Sequence, residues 1–163
     1  MDNVIKVLNF TACGFLGMTI FFGYQASYSV NNFVIHIYMA LFAASLTIMG
    51  QVAIFFYLIA TGASIKESAS EIDFGGVDVF KETKSFKKNT LPFAMLTILL
   101  AIATTAMGGA VHTGMLMPYI HGIAAWVTIC VCMFSTLNAG KSFKKNKVLI
   151  MRVIEAGSQE SKA

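Results

Sequence analysis

Four long stretches of apolar residues dominate the chain, and short polar segments separate them. The stretches are Val7–Ser29, Phe33–Ala60, Leu91–Val111 and Tyr119–Ala139. Each is close to or longer than the ~20 residues that a helix needs to cross the hydrocarbon core of a bilayer. None shows the alternation of apolar and polar residues that marks the strands of a transmembrane barrel. Because only helices and closed barrels satisfy their backbone hydrogen bonds in lipid, the pattern predicts four transmembrane helices.

The polar segments between these stretches are predicted to be connections rather than domains. Residues 61–90 connect the second and third helices, and residues 140–163 form a tail. The connector is too short to bury a core of its own. We expect its weakly alternating part, 72–80, to form a small hairpin or an interfacial segment, and the end from residue 157 to be disordered. Residues 1–163 are therefore predicted to form a single integral membrane domain.

The composition fits a membrane protein and disfavours some classes of function. Hydrophobic residues make up 56% of the chain and charged residues 12%, with a mean hydropathy of +0.70. An average soluble domain carries about 25% charged residues. No Asp, Glu, Lys or Arg lies within the four stretches, whereas ion-coupled transporters and pumps generally use such residues inside the membrane. A transport function is therefore disfavoured. Separately, we expect the first stretch to be a retained transmembrane helix rather than a cleaved signal peptide.

The charged residues indicate which helix ends share a side of the membrane. All 12 Lys and Arg residues lie before the first helix, between the second and third, or after the fourth. The other two connections, near residues 30–32 and 112–118, carry no formal charge. By the positive-inside rule, the basic segments and both termini face the cytoplasm or an equivalent compartment, as in a bacterial inner membrane. The sequence thus predicts an all-α, antiparallel four-helix membrane bundle.

The basic residues also suggest what the protein meets at the membrane surface. The net charge of +4 follows from the predicted topology and gives no support to nucleic-acid binding. Basic residues beside a membrane instead favour anionic lipid headgroups as a partner. The hexapeptide KSFKKN occurs at 84–89 and again at 141–146. We expect both copies to be juxtamembrane anchors, with Phe86 and Phe143 in the interface and the lysines at the headgroups.

A few polar and sulfur-containing side chains lie inside the apolar stretches. Gln51 lies deep in the second stretch, so we expect it to form hydrogen bonds within the bundle. Cys13, Cys130 and Cys132 are also within the stretches. Cys130 and Cys132 are two residues apart and point to different sides of a helix. The three cysteines are predicted to be small packing residues, and no disulfide is expected.

The three histidines, His36, His112 and His121, are predicted to lie near one surface of the membrane. Each begins a series of small or polar residues at helical spacing, and such faces point inward in membrane bundles. The second and fourth helices of an antiparallel bundle commonly face each other across its diagonal. His36 and His121 should therefore agree in depth within about one helical turn, ~5 Å. His112 ends the third helix, nearer to water.

This placement suggests a haem site. Imidazole is a common ligand of haem iron. A haem also needs small neighbours, and the chain offers Ala40, Ala43, Gly108, Gly109, Gly122 and Ala125. The helix count and histidine placement resemble the b-type cytochrome subunits that anchor membrane oxidoreductases. The resemblance implies a membrane subunit of a redox complex that exchanges electrons with quinone or a partner protein. From their shared depth, we expect His36 and His121 to hold haem b. We expect His112 to be a second contact or substitute ligand, and Tyr119 a quinone or propionate contact.

Two other functions fit the same sequence. Met39, Met115 and Met117 lie near the histidines, and soft thioethers suit Cu(I), so a copper-handling membrane protein is one alternative. A structural or assembly subunit without a cofactor is the other. The chain has no nucleophile–base pair and no soluble catalytic domain, so we expect it not to be an enzyme by itself. Its uncharged outer connections predict cover by other subunits of a larger complex.

Overall fold

The computed structural model describes residues 2–26, 29–69 and 79–160, and this part of the chain is almost entirely helical. Its elements are α1 (Asp2–Gln25), α2 (Val30–Ala69), α3 (Val79–His112) and α4 (Pro118–Glu160). Each helix is long and apolar enough to cross a membrane. The all-helical fold and the presence of four helices of this length and apolarity are therefore confirmed. Most of the predicted hairpin or interfacial segment at 72–80 lies outside the described residues.

The four helices pack as a bundle in which each contacts its neighbours in chain order and α1 also contacts α4. Neighbours run in opposite directions: Gly23 of α1 lies beside His36 of α2, and Asn9 lies beside Gly50. α2 and α4 also meet across one diagonal, as the sequence predicted. Among the described residues, α1 and α3 do not meet. The cross-section is therefore a rhombus whose short diagonal joins α2 to α4.

The two ends of the bundle differ in charge and in length. We call the end with the α1–α2 and α3–α4 connections the histidine end, and the opposite end, near Lys6, the lysine end. α2, α3 and α4 contain 40, 34 and 43 residues, against 24 in α1. At ~1.5 Å per residue, α4 is about 64 Å long, roughly twice the ~30 Å hydrocarbon core of a bilayer. At the lysine end, three helices therefore continue past the start of α1.

This extension has a hydrophobic core, which the sequence pattern did not predict. The core is a cluster of buried side chains from α2, α3 and α4, namely Ile65, Val79, Phe86, Leu149 and Val153. The connector at 61–90 does not bury this core by itself, since Leu149 and Val153 of α4 complete it. Its described residues continue α2 and α3, because their apolar side chains recur on one helical face. The expected disorder from residue 157 is wrong as far as residue 160, since α4 continues to Glu160.

The two KSFKKN copies lie in these extended helices, and their phenylalanines point into the bundle. Phe86 and Phe143 are 8% and 1% exposed. Phe143 packs edge-to-face on Tyr57 of α2, with ring centres 4.6 Å apart. The prediction that both phenylalanines lie in the membrane interface is therefore wrong. Helical geometry puts each phenylalanine on the inner face while most of the neighbouring lysines stay exposed.

A tight turn joins α3 to α4 and sets the positions of two histidines. α3 ends at His112, and Gly114 follows with a φ of 73°. This left-handed conformation is readily adopted by glycine and is typical of a helix C-terminus. The Thr113 N–H donates to the Gly109 carbonyl at 3.1 Å, which closes the last turn. Pro118 then begins α4, where its fixed φ suits a first helical position.

A polar cluster crosses the bundle between α1, α2 and α4. We call Asn9, Gln51 and Ser135 the Gln51 cluster; all three are fully buried. The Asn9 amide donates to the Gly50 carbonyl at 3.1 Å, and the Gln51 amide donates to Asn9 Oδ1 at 2.8 Å. The Ser135 hydroxyl donates to Gln51 Oε1 at 2.7 Å. The expectation that Gln51 bonds within the bundle is confirmed.

We predict that Gly50→Ala destabilises the bundle while Gly14→Ala does not. A Cβ at Gly50 would lie 2.7 Å from Asn9 Oδ1, and that side chain is held by bonds to α1 and α2. Overpacking of this kind costs about 1–3 kcal/mol. Gly14 has no atom within 4 Å of the same position, so alanine there should stabilise the helix by up to ~1 kcal/mol. Unfolding titrations in detergent compare the two, and equal stabilities would refute the close packing of Gly50 on Asn9.

Candidate functional site: a histidine pair

At the histidine end, α2 and α4 bring two histidines together, with one ring edge-on to the other. The ring centres of His36 and His121 are 6.2 Å apart, and their planes are inclined by 81°. Both side chains are half-buried. His36 and His121 therefore lie at a similar depth, as the sequence led us to expect, and they meet across the short diagonal of the bundle.

Glycines on the two flanking helices make room for these rings. A Cβ at Gly23 of α1 would lie 3.0 Å from Cε1 of His36. A Cβ at Gly108 of α3 would lie 3.3 Å from Cε1 of His121. Gly109 and Gly122, which the sequence also suggested as space for a cofactor, have no atom within 4 Å of their Cβ positions. Gly23 and Gly108 are thus the glycines that contact the pair, one from each side.

Hydrogen bonding orients one ring and leaves a nitrogen of the other without a partner. Nδ1 of His36 lies 3.0 Å from the Thr19 carbonyl oxygen. Since a carbonyl only accepts, Nδ1 carries the proton in this bond, and a neutral ring then keeps its lone pair on Nε2. Nδ1 of His121 is the one buried side-chain nitrogen or oxygen in the described part of the chain that has no hydrogen-bond partner. The backbone of Thr104 lies near the His121 ring but does not complete that bond.

The third histidine lies apart, at the surface. His112 is exposed at the end of α3, and its ring stacks on Phe33 with centres 5.3 Å apart. Tyr119 is also exposed, one residue into α4. Of the two methionines in the α3–α4 turn, Met115 is 84% exposed and Met117 60%. All four side chains therefore lie on the surface at the histidine end.

Sequence reasoning missed the contribution of α1. Thr19 supplies the carbonyl that orients His36, and Gly23 supplies the space for its ring. Tyr24 also lies at the histidine end, where its hydroxyl accepts a hydrogen bond from the Trp126 indole of α4 at 3.1 Å. Gly23 and Tyr24 could have been found, since a tight α1–α2 connection places them level with His36. The carbonyl of Thr19 carries no sequence signal.

Neither a protein-family model, a curated protein nor a solved structure matches this chain. The function is therefore inferred from the geometry of the histidine pair.

We predict that His112 reacts with diethyl pyrocarbonate several-fold faster than His36 and His121 in the detergent-solubilised, cofactor-free protein. His112 is exposed, whereas the other two rings are packed against glycines and each other. Peptide mass spectrometry over a time course measures the three rates separately, and His112 serves as the internal reference. Equal rates at all three positions would contradict the paired arrangement.

Proposed function

We propose that this protein is a membrane subunit of a redox complex and that it holds haem b between His36 and His121. The observation that carries the proposal is the histidine pair across the short diagonal. A metal–nitrogen bond of about 2 Å on each side of one ion places two imidazole centres roughly 6 Å apart. The observed separation of 6.2 Å is in that range.

Two histidines are enough protein ligands for a haem. A haem brings four nitrogens of its own and needs only one or two from the protein, whereas structural zinc sites take four protein ligands. His36 and His121, which lie next to each other, would supply the two nitrogens.

The hydrogen bonds around the rings also suit histidines that would hold a haem iron. Metal-binding histidines commonly donate their second N–H to a backbone carbonyl, which fixes the ring and its tautomer. His36 makes this bond to Thr19, which leaves Nε2 as the ligand atom. Burying a polar nitrogen without a partner is costly, so the unpartnered Nδ1 of His121 is a further reason to expect a ligand here.

The haem would supply one-electron chemistry, and the chain's own residues would bind and orient it. α1 and α3 do not meet among the described residues, so the long diagonal offers the greater width for a flat group. Gly23 and Gly108 border the pair along that diagonal. Because the outer connections carry no Lys or Arg, Asn31, Asn32, His112 or a neighbouring subunit would contact the propionates. Quinone or a partner protein would exchange electrons with the haem at the exposed surface of the histidine end.

One observation favours a second candidate, a structural or assembly subunit without a cofactor. Gly23 and Gly108 already contact the two imidazoles closely, so part of the space that the sequence suggested for a haem holds the rings themselves. In this alternative, the pair is a packing contact between α2 and α4. A haem spectrum separates the two candidates.

We predict a b-type α-band in the reduced-minus-oxidised spectrum of the protein extracted in mild detergent with its native partners. His36→Ala and His121→Ala should each abolish the band at equal membrane abundance, because each removes one of the two histidines that would hold the haem. His112→Ala is the matched control and should keep it. Loss of the band in His112→Ala alone would refute the assigned pair, and absence of the band in the native extract would favour the structural subunit. A single copy of the chain that retains haem would contradict the larger assembly.

We also propose that the lysine end and both termini face the cytoplasm or an equivalent compartment, with the histidine end on the opposite side. The support is the distribution of charge: all 12 Lys and Arg residues lie before the first apolar stretch, between the second and third, or after the fourth. Basic residues are enriched on the cytoplasmic side of membrane proteins. The three extended helices would then project into the cytoplasm, with their lysines near anionic headgroups.

We predict that a cysteine at Thr113 is labelled by a membrane-impermeant maleimide in intact cells, whereas a cysteine at Ser68 is labelled only after permeabilisation. Both positions are exposed, and they lie at opposite ends of the bundle. The native cysteines are replaced by serine in both variants, so the introduced thiol is the one measured. The reverse pattern of labelling would show that the orientation is inverted.

A further inference from the structure

The structure places two cysteines in contact in the middle of the bundle. Sγ of Cys13 in α1 lies 3.3 Å from Sγ of Cys132 in α4, although 119 residues separate them in the chain. Both side chains are buried, whereas Cys130 is exposed on the other side of α4. The sequence led us to expect packing residues and no disulfide, and it held no sign that α1 and α4 bring these two thiols together.

The contact is close to the geometry of a covalent bond. A disulfide has an S–S length of about 2.05 Å, so the two sulfurs need to approach by only about 1.2 Å. Rotation about the two Cα–Cβ bonds and a small shift of one helix can supply that approach. A Cβ added at Gly17, one turn along α1 from Cys13, would lie 3.8 Å from Cδ1 of Ile129 in α4. Gly17 therefore has no side chain that holds α1 away from α4 at this level.

The surroundings of the pair also suit a dithiol that changes its oxidation state. Nε2 of Gln51 lies 3.9 Å from Sγ of Cys132, so the pair adjoins the Gln51 cluster. A disulfide is uncharged, as are two thiols, so both forms avoid the cost of burying a charge in an apolar interior. A bound soft metal ion would instead require thiolates, which makes a covalent S–S bond the better fit to this site.

The pair lies next to an exposed part of the α1 surface. Cys13 is 6% exposed. The neighbouring residue, Gly14, is itself exposed and has no atom within 4 Å of its Cβ position. The lipid-facing side of α1 is therefore open next to the thiol. Quinones have the required two-electron capacity and reside in the same apolar phase.

We propose that Cys13 and Cys132 form a redox-active dithiol, which a quinone oxidises to a disulfide that joins α1 to α4. The two S–H bonds break and one S–S bond forms. Two electrons and two protons pass to the quinone, which becomes a quinol. This site is separate from the histidine pair and does not depend on the presence of haem. Oxidation ties α1 to α4 beside the Gln51 cluster.

The test counts free thiols before and after oxidation of the full-length protein in membranes. The membranes are treated with a short-chain ubiquinone analogue and then denatured in SDS with a polyethylene glycol maleimide, which shifts the band once for each free thiol. The chain has three cysteines. We expect three shifts before oxidation and one after it, together with about one quinol formed per protein. Digestion should yield a disulfide-linked pair of peptides from α1 and α4.

The variants give matched controls. Cys130→Ser should change from two shifts to none, because its remaining thiols are the pair. Cys13→Ser and Cys132→Ser should each keep two shifts after oxidation, since neither can form the bond. Three free thiols in the quinone-treated wild type would overturn the proposal, and this result does not depend on the folding of any variant. Loss of thiols in Cys13→Ser equal to that in the wild type would overturn it as well.

Discussion

α2 and α4 run side by side across the short diagonal, and their contacts keep one register from end to end. The pairs are His36 with His121, Gln51 with Ser135, Tyr57 with Phe143 and Thr61 with Asn146. Their sequence separations, 84 to 86 residues, are nearly constant, as expected for two parallel helices in register. Because this one contact aligns every level of the bundle, a slip of α2 against α4 would separate the histidines, the Gln51 cluster and the lysine-end core together.

The chemistry of the contact helps to explain why the register is well defined. Lipid and helix surfaces are equally apolar, so hydrophobicity alone does little to select a pairing in a membrane. A buried amide or hydroxyl without a partner is costly, which penalises any register that leaves Gln51 or Ser135 unpaired. Hydrogen bonds between membrane helices contribute modestly, about 0.6 kcal/mol on average. Their main effect here is therefore to distinguish one register from its alternatives.

The same arrangement buries polar groups at the histidine end of the bundle and apolar groups at the lysine end. At the histidine end, polar groups face one another from α2 and α4, and the nitrogen of His121 without a partner marks a place where the chain alone does not complete the bonding. At the lysine end, α1 begins at Asp2 while the other helices continue and bury Phe86 and Leu149. The proposed haem site and the proposed dithiol lie on the membrane side of this extension. A change in how α1 packs against α4 would therefore affect both the Gln51 cluster and the lysine end, where α1 begins.

The number of helices, their apolar spans and the grouping of the basic residues on one side were determined by the sequence alone. These properties depend on composition averaged over about 20 residues, which the surroundings do not alter. The diagonal pairing of His36 with His121 also followed, because short connections leave few arrangements of four helices. The tertiary structure alone decided the contact of Cys13 with Cys132, the space that Gly23 makes for His36, and the burial of Phe86 and Phe143. Each of these depends on how far one helix is rotated and shifted against another, and that is set by the packing of whole surfaces rather than by any local pattern.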